Sequence, residues 1–296
     1  MIEIDAHGES CLCDFTFDFY WQHQGSRLDP DGAISGATTW RGLVEALRRG
    51  EAVRVRGDVG GRLGSSLGVD LASFGGSGAP IEATGSVVVE GDVGPRMGIS
   101  MVRGSIYVSG TVCEPLGNVV EVESDLTGYR KYRSITEALE RGGPILDPNC
   151  QVRDELVLRD GLLRETLAAR SRSGRMLRVE GDAGMSAGIL MRSGSLEIMG
   201  DAGRNAGVLM RGGRLVVLGR CDDFTAAEMR GGEIFVAGDA AGFICAKMTG
   251  GAVYAPKGRP IPPAGGRPVR GDEAALVSKV LGVSSFSAMT YRRFGP

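Results

Sequence analysis

The chain has 296 residues, with 34 basic and 36 acidic side chains and a formal net charge of −2. That length supports a sizeable core in one or two domains, and the charge balance gives no reason to expect nucleic acid or a membrane surface as partner. No apolar run approaches the roughly 20 residues of a membrane span. The six Cys lack a disulfide-knot spacing, His occurs only twice and Gly 48 times, so a reduced, cytoplasmic chain with little His chemistry is expected.

Residues 1–50 read as an N-terminal strand and helix. The opening MIEIDAHGES is acidic and polar, unlike a secretory leader. In CLCDFTFDFYWQHQ the residues Cys11, Cys13, Phe15, Phe17, Phe19 and Trp21 alternate onto one face, opposite Asp14, Thr16, Asp18 and Gln22. That is a strand with an aromatic face. With His23 nearby it is also the best metal candidate, but a lone C-x-C without a second pair is a weak zinc signal. The stretch TTWRGLVEALRRG predicts a helix capped by Thr39 and stopped by Gly50.

Residues 51–123 form a first repeat array. VRVRGDVGGRLG and VVVEGDVGPRMGISMVRGSIYVSG align Val53, Val87 and Ile106 in one column and Val55, Val89 and Val108 in the next. A strand-ending Gly recurs at Gly57, Gly91 and Gly110, and Met101 and Gly104 keep register. The segment 68–85 reads as a loop inserted in one coil, a usual place for extra residues in a repeat protein. Residues 124–176 read as a linker carrying a second helix, RSITEALERG, capped by Ser134 and stopped by Gly142.

Residues 177–255 show the period most clearly, at 19 residues. The strand-ending glycines are Gly181, Gly200, Gly219 and Gly238, the methionines Met191, Met210, Met229 and Met248, and the pre-strand glycines Gly194, Gly213, Gly232 and Gly251. Leu177, Leu196, Leu215, Ile234 and Val253 make one inward column; Val179, Ile198, Val217, Val236 and Ala255 make the other. Nineteen residues are too few for a strand–helix–strand crossover and suit one coil of a parallel β-solenoid. Glycine beside Asp also suggests a phosphate cradle, but that needs a helix N-terminus after each turn, and strands follow instead.

The Asp column (Asp58, Asp92, Asp182, Asp201, Asp239, interrupted by Arg220) and the Arg column (Arg103, Arg192, Arg211, Arg230) can either pair or form solvated corners. Cys221 falls among Ala183, Ala202 and Ala240, and Cys245 among Gly188, Gly207 and Ala226, columns that accept only small core residues. Residues 256–296 read as a Pro/Gly linker and a short amphipathic helix, DEAALVSKVLG, suited to covering the end of the stack. Outward positions turn from charged to apolar along the array, so Val216, Leu218, Phe235 and Tyr254 form a candidate partner interface. The alternative is that the chain's own tail covers them.

The pattern G-D-x-G-x-x-x-G-x-x-M-x-G-G, carried at 91–110 and 181–254, resembles the GXGXG β-helix family. That family includes the β-helical subunits of formylmethanofuran dehydrogenase and of the bacterial formyltransferase/hydrolase complex, and the C-terminal domain of the glutamate synthase large subunit. The segment PLGNVVEVESDLTGYRKYRSITEAL is similar to the joining region of the formylmethanofuran branch. The resemblance implies an all-β, right-handed parallel β-helix acting without catalytic residues or a cofactor of its own. Molybdenum or tungsten pterin and iron–sulfur clusters would then reside in partner subunits. The alternatives are a stand-alone β-helix subunit of a glutamate synthase or related amidotransfer enzyme, and an independent enzyme using carboxylates or Lys of the 68–85 loop.

Overall fold

The computed structural model describes residues 1–6, 29–36, 38–72 and 75–296. The strand expected around Cys11 and Cys13, with His7, His23 and the aromatic face, lies outside the described residues. The chain is a parallel β-solenoid, and its described residues are mostly strand and turn with four short helices. It forms two compact units: Met1–Ala138 with Gly143–Leu146, and Leu139–Gly142 with Asp147–Pro296.

In the first unit, strands Ile2–Asp5, Val53–Arg56, Val87–Glu90 and Ser105–Val108 stack in parallel. Ile2, Val53, Val87 and Ile106 share one register position, and Ile4, Val55, Val89 and Val108 another. The second column is essentially solvent-free, as period-2 alternation over a buried face requires. The opening IEID therefore supplies a coil of its own. The sheet closes with two antiparallel strands, Arg130–Ser134 and Val119–Val122.

Helix α1 spans Trp40–Arg48, with Thr39 Oγ1 accepting from the Gly42 N–H at 3.1 Å. Gly50 follows at φ +84°, the left-handed residue that stops a helix. The 68–85 insertion is a small antiparallel excursion closed by the Val69–Pro80 bridge. Its Asp70 accepts from the Ser77 N–H at 2.7 Å and pairs with Arg48.

In the second unit six parallel strands run from Glu155–Leu158 through Met176–Val179, Ser195–Ile198, Arg211–Val217 and Arg230–Val236 to Gly250–Ala255. Leu156, Leu177, Leu196, Leu215, Ile234 and Val253 stack in one column at 0–1% exposure. The strand Glu155–Leu158 begins a coil inside the segment expected to be linker. Its coil is two residues longer than the others, and a buried ion pair replaces the usual Gly-Asp corner. Arg164, 2% exposed, grips Asp160 through both nitrogens at 2.5 and 2.7 Å, and Asn149 donates to the same carboxylate at 2.7 Å. Burial pushes the Asp160 carboxyl up, yet Arg164 and Asn149 hold it below its usual value.

Helix α2, Ile135–Arg141, has the Ser134 hydroxyl accepting from the Glu137 N–H at 3.3 Å, and Gly142 follows at φ +71°. Helix α3, Gly271–Leu281, ends at Gly282 with φ +65°, and α4 is Ser285–Ala288. The last coil is completed by strand Arg292–Gly295, antiparallel to Gly250–Ala255, with Gly265–Pro268 outside it. Cys150–Val152 pairs antiparallel at the opposite edge. These antiparallel strands finish the two ends of the parallel run, where open edges invite further pairing.

Candidate partner-binding surfaces

Each coil presents an outer strand face and two charged corners. On the strand face, Arg178 pairs with Glu155 at 3.0 Å and Glu197 at 3.2 Å, and Arg214 pairs with Glu233 at 2.7 Å. Farther along, Phe235 and Tyr254 stack with ring centroids 4.8 Å apart, and the Arg214 guanidinium sits 5.3 Å from the Phe235 ring.

This apolar wall is not open to a partner. Phe235 is 0% exposed and Tyr254 and Val216 are each 5% exposed, while Leu218 is half-buried. Ala274 and Val277 of α3, Ala288 of α4, Val269 and Tyr291 cluster with Phe235, Ala252 and Tyr254. The expected interface at Val216, Leu218, Phe235 and Tyr254 is thus corrected at its two aromatic residues, which the chain's own tail covers; Val216 is buried outside that cluster and Leu218 stays half-buried. The same packing corrects the expected place of the tail helix, which lies on the outer wall rather than across the end of the stack. The physical reason is that an exposed Phe–Tyr stack and an amphipathic helix within reach bury each other.

One carboxylate ties the tail's own elements together. Glu273 accepts from both terminal nitrogens of Arg267 at 2.6 and 2.7 Å and from the Arg270 N–H at 2.8 Å. Arg293 lies 3.6 Å away. Bonding to Arg267 brings the Glu273 carboxyl down to about 2. A carboxyl depressed in the folded state stabilises it fully above its unfolded value of about 4.3, and the contribution fades as pH falls toward the folded value. Acid is therefore expected to loosen the tail between pH about 4 and about 2, seen as pepsin cleavage beyond residue 256. Glu273→Gln should remove that step and weaken the tail's own fold at neutral pH; an unchanged acid profile would count against this tie.

The glycine-rich corners use Gly and Asp in a joint device. The carboxylate of Asp58 accepts from the Asp92 N–H at 2.8 Å, Asp92 from the Thr111 N–H at 2.7 Å, Asp182 from the Asp201 N–H at 2.7 Å and Asp201 from the Arg220 N–H at 2.7 Å. Each Asp thus bonds the backbone of the next coil, and the Thr111 N–H holds the Asp92 carboxyl below its usual value. The strand-ending glycine makes room for this bond. A Cβ on Gly91 would lie 2.7 Å from Asp58 Oδ1, and side chains at Gly200 or Gly219 would meet the carboxylates of Asp182 or Asp201.

Among the described residues Arg192, Arg211 and Arg230 make no ion pair with the corner aspartates, and Arg103 of the first unit is instead buried and donates to Val102 O at 2.8 Å. Arg192, Arg211 and Arg230 stand exposed one per coil. The backbone bonds Arg192 N to Ser171 O and Arg211 N to Met191 O place Arg172 at the head of the same column. The repeat pattern alone does not reveal Arg172, because Ser171 stands where later coils have Met. No carboxylate of the described residues pairs with the guanidinium groups of Arg192, Arg211 and Arg230. Partial burial and the charges of Arg172 and Arg211 hold Arg192 below its usual value. Thr249 ends the ladder.

At the head of the ladder lies an open cleft lined by Glu140, Asp154, Arg172, Ser173 and Arg175. Arg175 pairs with Asp154 at 3.5 Å, and its buried Nη1 has no hydrogen-bond partner.

The methionine column (Met191, Met210, Met229, Met248) is at most 1% exposed, as expected of core filling. Cys221 and Cys245 are 1% and 0% exposed, and burial pushes both thiols up to about 12. A thiol so raised is neither nucleophile nor ready metal ligand at neutral pH. The 68–85 loop holds Asp70 and Glu82 but no Lys. Among the described residues no three His, Cys, Asp or Glu converge as a metal site, and no helix is long and apolar enough to cross a membrane.

Stacked columns, carboxylate ties between coils and a self-covered wall define a parallel β-solenoid protein. No known family profile matches the chain, and no solved structure matches it. An uncharacterized protein of Methanothermobacter thermautotrophicus is 48% identical over 199 residues, which are 66% of this chain and 65% of that relative. The match thus spans less than two thirds of the relative's length.

Proposed function

We propose that this chain is a non-catalytic structural and interface subunit of a formylmethanofuran dehydrogenase-like C1 oxidoreductase complex. Carbon dioxide reduction and formyl transfer to methanofuran would belong to its partner subunits. The observation that carries this reading is the use made of the repeated polar residues. The corner aspartates tie coil to coil through backbone N–H groups, so the residues that suggest a ligand cradle maintain the solenoid instead. On this reading molybdenum or tungsten pterin and iron–sulfur clusters would reside in partner chains. The described cysteines do not fit such a ligand set: Cys221 and Cys245 are buried in different coils, Cys113 is exposed, and Cys150 lies against Arg159.

The test is affinity purification of the tagged full chain from its native cells, with identification of stoichiometric partners and metal analysis. Pterin- and iron–sulfur-bearing chains are expected. Flavin- and glutaminase-bearing partners would overturn the reading in favour of a glutamate synthase assembly. Turnover by the isolated chain would overturn it in favour of an enzyme.

A further inference from the structure

Several arginines of the second unit are neutralised by carboxylates, whereas one column is not. On the strand face Arg178 lies between Glu155 and Glu197, and Arg214 pairs with Glu233. The same holds at Arg164–Asp160 and Arg267–Glu273. At one corner, four consecutive coils place Arg172, Arg192, Arg211 and Arg230 one above another and exposed; Glu140 accepts from the Arg172 N–H at 3.3 Å, and among the described residues no carboxylate pairs with the other three guanidinium groups. Like charges stacked about 4.8 Å apart repel, and the neighbouring Arg charges contribute to lowering Arg192. The fold gains nothing visible from the arrangement. The two residues after each arginine are Ser or Gly throughout (Ser173 and Gly174, Ser193 and Gly194, Gly212 and Gly213, Gly231 and Gly232), so the ground beside the ladder carries almost no side chains.

We propose that this arginine ladder is a docking surface for an acidic α-helix of a partner protein, lying along the solenoid axis. The repeat distances select the helix. A helix turns once in about 5.4 Å, so one acid per turn drifts only about 0.6 Å per coil against the roughly 4.8 Å stacking. Arginine side chains absorb such a drift over four coils. Same-face residues of an extended strand lie about 6.8 Å apart and fall out of step within two coils. Nucleic acid is disfavoured because its binders spread basic charge over a broad face with pI above about 9, whereas this chain has a sequence pI of about 5.9 and neutralises Arg178 and Arg214 on the strand face. Guanidinium suits the task because it takes carboxylates with two parallel hydrogen bonds. Glu140 and Asp154 flank Arg172 in the cleft at the ladder's head, which leaves Arg192, Arg211 and Arg230 as the central contacts.

The inference deepens the reading of the chain as part of a complex and rests on it for the partner's identity, but its test does not. The full chain is titrated at low ionic strength with two labelled helical peptides of equal composition. One carries a Glu stripe of one residue per turn; the other has the same Glu residues spread around the helix. The striped peptide is expected to bind more tightly, to be released by salt, and to lose about tenfold in affinity to the R192Q/R211Q variant. That variant should melt no lower than wild type, since no internal partner is lost and like-charge repulsion is relieved. Equal binding of both peptides, undiminished binding by the variant, or a lowered melting temperature would overturn the proposal. Tighter binding of a thymidine oligonucleotide, lost in the variant, would overturn the partner class. Failure here leaves the co-purification result standing, and the converse also holds.

Discussion

Phe235→Ala is expected to destabilise the isolated chain by about 3–5 kcal/mol, the range for removing a fully buried aromatic ring. The ring has no solvent exposure, stacks on Tyr254 at 4.8 Å, carries Arg214 over its face, and is roofed by Ala274 and Val277 of α3. Removing it empties the centre of the contact that holds the tail. Domains are stable by only about 5–15 kcal/mol, so the loss is a large fraction of the total. Urea denaturation of the purified chain measures it directly. The result also decides what the wall is for. If Phe235 anchored another protein, its loss would weaken a complex and leave the free chain's midpoint where it was. An unshifted midpoint would therefore remove the tail from this face. Phe235→Glu should be worse still, because it loses the ring and buries a carboxylate, although Arg214 stands close enough to compensate part of the charge.

The repeat was legible because three constraints act on every coil and each selects a narrow residue type. The inward columns must be apolar at period two, the pre-strand turn needs a left-handed residue, and the strand end must leave space for an Asp of the coil below. Those demands recur every 19 residues and leave the visible columns of Val/Leu/Ile, Gly and Gly-Asp. Helix caps were equally readable at Thr39 and Ser134, where a hydroxyl takes a free N–H.

What escaped the reading has physical reasons. The coil starting at Glu155 satisfies its corner with the Arg164–Asp160 pair, so it lacks the Gly-Asp signature. The coil corners also hold non-glycine residues at positive φ, including Leu190, Leu209, Glu228 and Lys247 at φ of 53–57°. No residue-type preference announces these positions, because stacking on the neighbouring coils imposes the conformation. The destination of α3 was open for a different reason. An amphipathic pattern shows which side of a helix is apolar, but not which of two apolar surfaces it meets. Finally, the arginine column was visible as a repeat, but its lack of partners was not. Whether an arginine finds a carboxylate depends on neighbouring coils, and the same sequence pairs Arg178 and leaves Arg192 unpaired.

Gly213→Val should be among the most damaging substitutions in the second unit, for two separable reasons. Gly213 has φ +81°, where a β-branched residue carries about 1–3 kcal/mol of backbone strain. Its Cβ would also lie 2.7 Å from Met191 Cε, 2.9 Å from Gly194 O and 3.0 Å from Ser193 C. The methionine tip can move aside. The carbonyl and the carbonyl carbon of the coil below cannot, because they belong to the stacked backbone. Forced overpacking of this kind adds about 1–3 kcal/mol, so the combined loss approaches the whole stability of a marginal domain. Gly174, at the corresponding corner at the start of the array, provides the internal control. A Cβ there meets nothing within 4 Å and its φ is not in the left-handed range. Gly174→Val should therefore stay within about 0.5 kcal/mol of wild type, as ordinary surface changes do. Denaturant midpoints of the two variants test the argument as a difference. Equal, small shifts would mean that the corner glycines are replaceable and that the columns alone hold the coils in register. A large loss at Gly213 beside none at Gly174 would place the requirement in the stacked interior of the solenoid, where one coil's turn rests on the backbone of another.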